Sequence, residues 1–262
     1  MDAPPVAIVT GAARGIGAAT VHRLAAGGWR VVAVDICHDD PALGYPLGTG
    51  DQLEAVAGPY GGAVVPVAGD VRVLENLTAA VELARDRFGR LDAAVAAAAV
   101  MTGGGPLWET TTADWVPMFD TGVHGMANLA RAAVPAMLAG PEPRTGRFIG
   151  VASAAAHHGM WHLSGYNAAK HAVIGLIKGL AHDLLGTGIT ATAVSPGSTR
   201  TTLLTETARL YGLDDIEKFA SHQIVDRILE PDEVAAAIAW LCTPESAAVT
   251  GSVVHADGGF LA

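Results

Sequence analysis

Short apolar runs rich in β-branched residues alternate with alanine-rich stretches of helical periodicity along the 262 residues of the chain. Each run is nearly continuous, as expected of strands that are buried on both faces of a parallel sheet. The runs lie at 6–10, 31–35, 63–70, 91–100, 146–153, 189–197 and 252–259, and the helical stretches lie near 15–27, 74–88, 113–139, 165–185 and 231–241. The repeated strand–helix order predicts an α/β fold with a doubly wound parallel sheet and right-handed crossovers.

The chain shows no internal repeat and no linker, so we predict one domain over 1–262. Two segments break the pattern. Residues 36–62 are rich in Gly, Pro and Asp and are predicted to be an irregular insertion, whereas residues 198–230 form a polar helical insertion that could move over a site as a lid.

Composition argues against several classes of protein. The formal charge is −10 without a basic cluster, which argues against nucleic acid or an anionic membrane surface as partner. No apolar run reaches the roughly 18 residues needed to span a bilayer, and the N-terminus lacks the basic region of a signal peptide. Cys37 and Cys242 have no metal-ligand spacing and are interpreted as free thiols in the cytoplasm.

The sequence TGAARGIG stands between the first strand and the first helix. Gly11, Gly15 and Gly17 would let the backbone turn tightly and approach a pyrophosphate at the positive end of the helix. Asp35 ends the second strand, where a carboxylate can bind adenosine ribose hydroxyls and repel a 2′-phosphate; a helix-capping or solvent-facing acid is the alternative. Asp70 ends the third strand and is placed for the adenine amino group, or is a turn residue.

Tyr166 and Lys170 are four residues apart and would share one helix face, with Ser153 thirteen residues before the tyrosine. An ammonium beside a phenol favours the phenolate, so we expect Lys170 to lower the pKa of Tyr166. A tyrosine tuned in this way can exchange a proton near neutral pH. Taken alone, this spacing is common on solvated helix faces. It indicates a catalytic pair only in combination with the other motifs.

These motifs, together with SPGSTRT at 195–201 and VTGSVVHADGG at 249–259, resemble the short-chain dehydrogenase/reductase family, whose Rossmann fold binds NAD or NADP, over essentially the whole chain. The resemblance implies that Tyr166 is the catalytic acid/base, that Lys170 binds the nicotinamide ribose, and that Ser153 holds the substrate oxygen. It implies that Thr199 and Thr201 contact the carboxamide and pyrophosphate. The implied cofactor-binding residues are Gly11, Arg14, Gly15, Ile16, Gly17, Asp35, Asp70, Val71, Ala97, Tyr166, Lys170, Pro196, Gly197, Thr199 and Thr201.

The chain departs from the family at two places. The family's NNAG-like motif is replaced by the alanines at 96–99, and Gly122 stands where the family has a catalytic asparagine that holds a water of the proton relay. Drift at supporting positions, a weakened enzyme or NAD-binding protein, and a misalignment are the alternatives. A backbone carbonyl could still hold such a water.

Thirty-four residues lie between Asp35 and Asp70, more than is usual in the family. This segment resembles the mycofactocin-associated subgroup, in which the insertion is thought to bury NAD so that it does not exchange and an external redox carrier, mycofactocin, reoxidises it. An ordinary surface loop is the alternative.

Three histidines, His157, His158 and His162, lie between Ser153 and Tyr166. No carboxylate or cysteine accompanies them at a ligand spacing, so we predict a polar pocket wall and no metal site. Met160 and Trp161 beside them indicate a partly apolar pocket.

We therefore predict an NAD-dependent oxidoreductase that interconverts a secondary alcohol and a ketone, assembled as a homotetramer by family resemblance. A 3-oxoacyl-(acyl-carrier-protein) reductase using NADPH is one alternative, which Asp35 disfavours. An NAD-binding protein with weakened catalysis is the other, suggested by the alanines at 96–99 and by Gly122.

Overall fold

Seven parallel strands form one sheet in the computed structural model, which describes residues 3–261. The strand order β3-β2-β1-β4-β5-β6-β7 confirms the predicted doubly wound topology, because the chain winds outward in one direction from β1 and in the other from β4. The strands are β1 Val6–Thr10, β2 Arg30–Asp35, β3 Val64–Ala68, β4 Ala93–Ala96, β5 Arg147–Val151, β6 Thr190–Pro196 and β7 Val253–Ala256. Met1, Asp2 and Ala262, which the predicted domain 1–262 includes, lie outside the described residues.

Helices cover both faces of the sheet and bury two apolar clusters. They are α1 Gly15–Ala26, α2 Gly50–Ala57, α3 Leu74–Phe88, α4 Thr112–Phe119, α5 Gly125–Leu138, α6 Ser164–Asp183, α7 Thr202–Leu210 and α8 Pro231–Leu241. Successive strand residues point to opposite faces, so Ile8 joins the cluster under α3, α5 and α6, whereas Val9 joins the cluster under α1 and α8.

Two helices have the predicted bounds. Helix α3 ends where Gly89 adopts a left-handed conformation with φ of 81°, and α8 begins with Pro231 at its first position. The predicted helix over 113–139 is instead two helices, α4 and α5, joined by a π-helical turn over Asp120–His124.

The prediction that 36–62 is wholly irregular was wrong, because α2 lies inside it. Thr49 caps this helix in a reciprocal capping box with Gln52, which satisfies backbone donors at both positions. The predicted lid, 198–230, contains α7 and a 3₁₀ turn over Ile216–His222. No helix within residues 3–261 has both the length and the apolar character that crossing a membrane requires.

Candidate active site

A cavity of about 710 Å³ opens at the carboxyl ends of the central strands. Strands β1 and β4 are neighbours there and their following segments diverge, which is where open α/β sheets place their ligands. The cavity runs from the glycine-rich turn to the lid and to Phe260. The sequence-predicted residues that line it are Gly11, Arg14, Gly15, Ile16, Gly17, Asp35, Asp70, Val71, Ala97, Ser153, Tyr166, Lys170, Pro196, Gly197, Thr199 and Thr201.

The glycine-rich turn leaves no room for a side chain at Gly11 or Gly17. Gly11 has φ of +67°, and a Cβ placed there would lie 2.8 Å from the backbone of Ala98. A Cβ on Gly17 would lie 2.0 Å from the carbonyl oxygen of Gly11. Arg14 caps α1 without a side-chain hydrogen bond to the first-turn amides. The helix thus presents an anion-binding N-terminus beside the cavity.

Asp35 is 8 % exposed at the end of β2. Its Oδ2 accepts a hydrogen bond from the backbone N–H of Ala13 at 2.9 Å, which fixes the carboxylate against the glycine-rich turn. A Cβ on Gly48 would lie 2.9 Å from Oδ1, so the insertion packs directly over this carboxylate. We name residues 36–49 the strap.

Asp70 is engaged by a cation that sequence reasoning did not consider. Nε of Arg72 donates to both carboxylate oxygens, at 3.0 and 2.9 Å, and Nη1 of Arg72 bonds Oδ2 of Asp40 on the strap at 2.5 Å. Burial raises the pKa of Asp70, but hydrogen bonds and the charge of Arg72 lower it further, so the net pKa is below the usual value. Any ligand group at Asp70 would therefore share the carboxylate with Arg72.

Tyr166 and Lys170 lie on α6, buried beside Ser153. Burial raises the pKa of Tyr166 to about 12, although a hydrogen bond with Ser153 opposes this. The expectation that Lys170 lowers the pKa of this phenol was therefore wrong in its net direction. The Lys170 ammonium lies 5.7 Å from the centroid of the ring, and burial is the largest influence on the pKa of this phenol.

Lys170 is itself strongly desolvated. Its Nζ donates to the carbonyl of Val151 at 2.9 Å, and burial lowers the pKa of the ammonium to about 8. An ammonium carries three N–H donors, and within residues 3–261 Val151 supplies its one hydrogen-bond acceptor. The remaining donors are available to hydroxyl groups of a bound molecule.

The hydroxyl groups of the two threonines after Gly197 bond to nearby groups of the chain. Oγ1 of Thr199 donates to the carbonyl of Gly197 at 3.0 Å. Oγ1 of Thr201 caps α7 by accepting from the N–H of Leu204 at 3.3 Å. Both residues line the cavity, and these contacts orient the start of the lid.

Thr10 supports the alanine run at 96–99, a role that sequence reasoning missed. Its hydroxyl donates to the carbonyl of Val95 at 3.4 Å and accepts from the N–H groups of Ala97 and Ala98 at 3.2 and 3.4 Å. Gly122 lies in the π-helical turn, and a Cβ placed there would meet nothing within 4 Å. The π-helical turn therefore has room for a side chain at Gly122, whereas its neighbour Thr121 is the residue of this turn that lines the cavity.

The prediction that three histidines form one pocket wall was wrong for two of them. His158 lines the cavity, but Nε2 of His157 contacts Oγ of Ser195 at 2.8 Å, and His162 stacks on Trp161 at 3.5 Å. Within residues 3–261 no group of three or more His, Cys, Asp or Glu side chains is placed to hold a metal ion.

The lid and the C-terminal segment contribute residues that no local sequence signal indicated. His222, Phe219 and Tyr211 line the cavity, and the ring of Phe260 lies between His158 and His222, at 5.7 and 6.1 Å between centroids. The backbone N–H of Leu261 bonds the carbonyl of His222 at 2.7 Å. This end of the cavity is consequently rich in aromatic and apolar side chains, and its polar groups include imidazoles and hydroxyls.

Comparison with known proteins agrees with this architecture. A family model described as enoyl-(acyl carrier protein) reductase matches residues 11–261. The chain is 32 % identical to a (−)-trans-carveol dehydrogenase of Rhodococcus erythropolis, over 97 % of this chain and 96 % of the relative. It is 33 % identical to a cis-4-hydroxycyclohexanecarboxylate dehydrogenase of Sinomonas cyclohexanicum, over 98 % and 96 %.

Among solved structures, the carveol dehydrogenase of Mycobacterium avium in complex with NAD superposes with a TM-score of 0.92. The two chains are 32 % identical over 98 % of this chain and 97 % of the other. Fold, motifs and near-complete coverage thus agree, and the chain belongs to the short-chain dehydrogenase/reductase family of oxidoreductases.

Proposed function

We propose that this protein is an NAD(H)-dependent oxidoreductase that interconverts a secondary alcohol and a ketone. The observation that carries the proposal is one continuous cavity with a glycine cradle and Asp35 at one end and the hydrogen-bonded Ser153 and Tyr166 at the other. The cradle fits a dinucleotide, because Cβ atoms at Gly11 and Gly17 would clash with the backbone that shapes it. The structural relative from Mycobacterium avium is itself an NAD complex.

Bound NAD would supply the hydride acceptor for alcohol oxidation. Tyr166 would take the proton of the substrate hydroxyl in that direction and return it in the reverse direction. Ser153 would hydrogen-bond the reacting oxygen and stabilise its developing charge. Lys170, with donors to spare beyond the Val151 carbonyl, would hold ribose hydroxyls of the cofactor.

The lining of the lid end supports a cyclic, mostly apolar alcohol as substrate. Phe219, Phe260 and Tyr211 face this part of the cavity, and two relatives are named for the oxidation of cyclic alcohols.

A panel of carveol, cyclohexanol and cis-4-hydroxycyclohexanecarboxylate, assayed with NAD and an artificial electron acceptor, tests the proposal. Turnover that depends on Tyr166 supports it. Binding of NAD without turnover of any member by a correctly folded protein would favour the NAD-binding alternative, which rests on Gly122 and the alanines at 96–99.

The reductase alternative makes a different prediction. A 3-oxoacyl-(acyl-carrier-protein) reductase using NADPH would reduce an acetoacetyl thioester faster with NADPH than with NADH. The carboxylate of Asp35 disfavours the 2′-phosphate of NADPH. The same protein preparation assayed with both cofactors separates the two functions.

We further propose that the strap retains NAD, so that an external carrier of the mycofactocin type must reoxidise it in place. Two contacts support this: Gly48 packs on Asp35, and Asp40 is bonded to Arg72 beside Asp70. Incubation with isotopically labelled NAD and an alcohol tests it. Label is expected to enter NADH slowly. Rapid release of labelled NADH would show that the strap is an ordinary surface loop and does not retain the cofactor.

A homotetramer built on helix-paired dimers is the assembly we propose. Helices α5 and α6 share an apolar groove whose small residues include Ala127, Ala130, Gly175 and Gly179, which would allow helices of a second copy to approach closely. Light scattering with Gly179→Glu as a disrupting variant tests this assembly. The free thiols of Cys37 and Cys242 fit the proposed cytoplasmic location.

A further inference from the structure

The strap and the lid meet on the same residue, Met101, which follows β4 on the wall of the cavity and is 4 % exposed. On one side, its backbone N–H donates to the phenolic oxygen of Tyr45 on the strap at 2.8 Å. On the other side, Oγ1 of Thr207 on α7 lies 3.1 Å from its Sδ and shares its single hydrogen between this sulfur and the carbonyl of Leu203, which is 2.8 Å away. One buried residue therefore contacts both the strap and the lid.

The strap also approaches the lid directly. A Cβ placed on Gly44 would lie 3.8 Å from Nη2 of Arg209 on α7. The guanidinium of Arg209 donates to both carboxylate oxygens of Glu206, at 2.6 and 2.8 Å. Glu206 is 5 % exposed, so this pair fixes the face of α7 that the strap touches.

Tyr45 stays a neutral phenol at physiological pH, because burial raises its pKa to about 12. Removal of its hydroxyl would leave the N–H of Met101 buried without its partner. Such an orphaned donor destabilises the closed arrangement of strap and lid together, because both rest on Met101.

We propose that Tyr45 is a positioning residue that couples the cofactor strap to the substrate lid through Met101. The two contacts on Met101 support each other, so loss of either one frees the strap and the lid together and speeds release of the cofactor. This inference rests on the proposed function in placing NAD beneath the strap. The contacts themselves are independent of it.

A double-mutant cycle on the release rate of NADH tests the coupling. Stopped-flow fluorescence compares the wild type with Tyr45→Phe, Thr207→Val and the double variant. Tyr60→Phe is the matched control, because its hydroxyl contacts Nδ1 of His22 at 3.1 Å and does not line the cavity. We expect Tyr45→Phe to speed release about five- to tenfold, the loss of one hydrogen bond to a buried group. Thr207→Val alone should also speed release by more than about twofold, and a smaller effect would overturn the proposal. The double variant should exceed the faster single variant by less than about twofold.

Multiplicative effects of the two substitutions would show independent contacts and overturn the proposal, as would a release rate for Tyr45→Phe within about twofold of the wild type. Hydrogen exchange of the cofactor-free protein gives a second readout. Tyr45→Phe should raise exchange in both 36–49 and 202–210, and Tyr60→Phe in neither. Faster exchange confined to 36–49, or unchanged exchange in both segments, would refute the coupling even if the protein bound no NADH.

Discussion

Replacement of Asp35 by Asn tests the cofactor preference with little change of shape. The amide oxygen can still accept the N–H of Ala13, which the carboxylate now binds at 2.9 Å, while the negative charge disappears. A 2′-phosphate about 4 Å from the carboxylate is repelled by about 1 kcal/mol in water and about 4 kcal/mol at an effective dielectric of 20. Because Asp35 is 8 % exposed but borders an open cavity, we expect about 2 kcal/mol, or about a thirtyfold change in relative affinity.

The dissociation constants of NADH and NADPH are measured by fluorescence titration of the wild type and of Asp35→Asn. NADPH should tighten, and NADH should weaken only a few-fold. Asp51→Asn is the control, because Asp51 is an exposed acid in the first turn of α2 and carries the same charge change outside the cavity. A change below about threefold in the ratio of the two constants would refute the electrostatic role of Asp35.

Three further outcomes follow from the site. Tyr166→Phe should lower kcat about 10²- to 10⁴-fold with the dissociation constant of NADH unchanged, and near-wild-type turnover would contradict the acid/base assignment. Because the pKa of Tyr166 is raised to about 12 and oxidation needs the phenolate, single-turnover oxidation should speed up with pH from 7 to 10, whereas reduction, which needs the phenol, should stay flat. Both rates are measured at saturating cofactor, because Lys170, whose pKa is about 8, loses its proton in the same window and would otherwise change cofactor occupancy; a plateau of the oxidation rate below pH 9 would contradict the assignment. Gly122→Asn should fold normally, since a Cβ there meets nothing within 4 Å, and should give no rate gain; a clear increase at unchanged melting temperature would show that the missing amide limits the proton relay.

Much of the secondary structure could be predicted from local sequence signals. Helix α8 begins at Pro231 and α3 ends before Gly89, and both residues are strong local signals for a helix terminus. The capping pair Thr49 and Gln52 was an equally local signal for α2, but the glycines and prolines around it obscured the helix. The π-helical turn had no comparable signal, because the sequence of Asp120–His124 does not differ in pattern from the α-helices on either side.

Site residues could be predicted from the sequence where a local motif determines their position on a strand or helix. All predicted cofactor and catalytic residues line the same cavity, because the carboxyl ends of parallel strands share one edge. Contacts between distant segments were not predictable. The pairing of Arg72 with Asp40, and of Tyr45 with Met101, depends on how the strap folds back, and the direction of the Tyr166 pKa depends on burial that spacing does not reveal.

The hydrogen bonds of Thr10 hold the end of β4 without help from the side chains at 96–99. Thr10 is 1 % exposed and holds the end of β4 through main-chain groups only. Because these bonds reach main-chain N–H groups, they hold the turn whatever side chains stand at 97 and 98. The constraint passes to residues 10 and 11: loss of the Thr10 hydroxyl would leave two N–H groups without this acceptor, and a side chain at Gly11 would meet the backbone of Ala98.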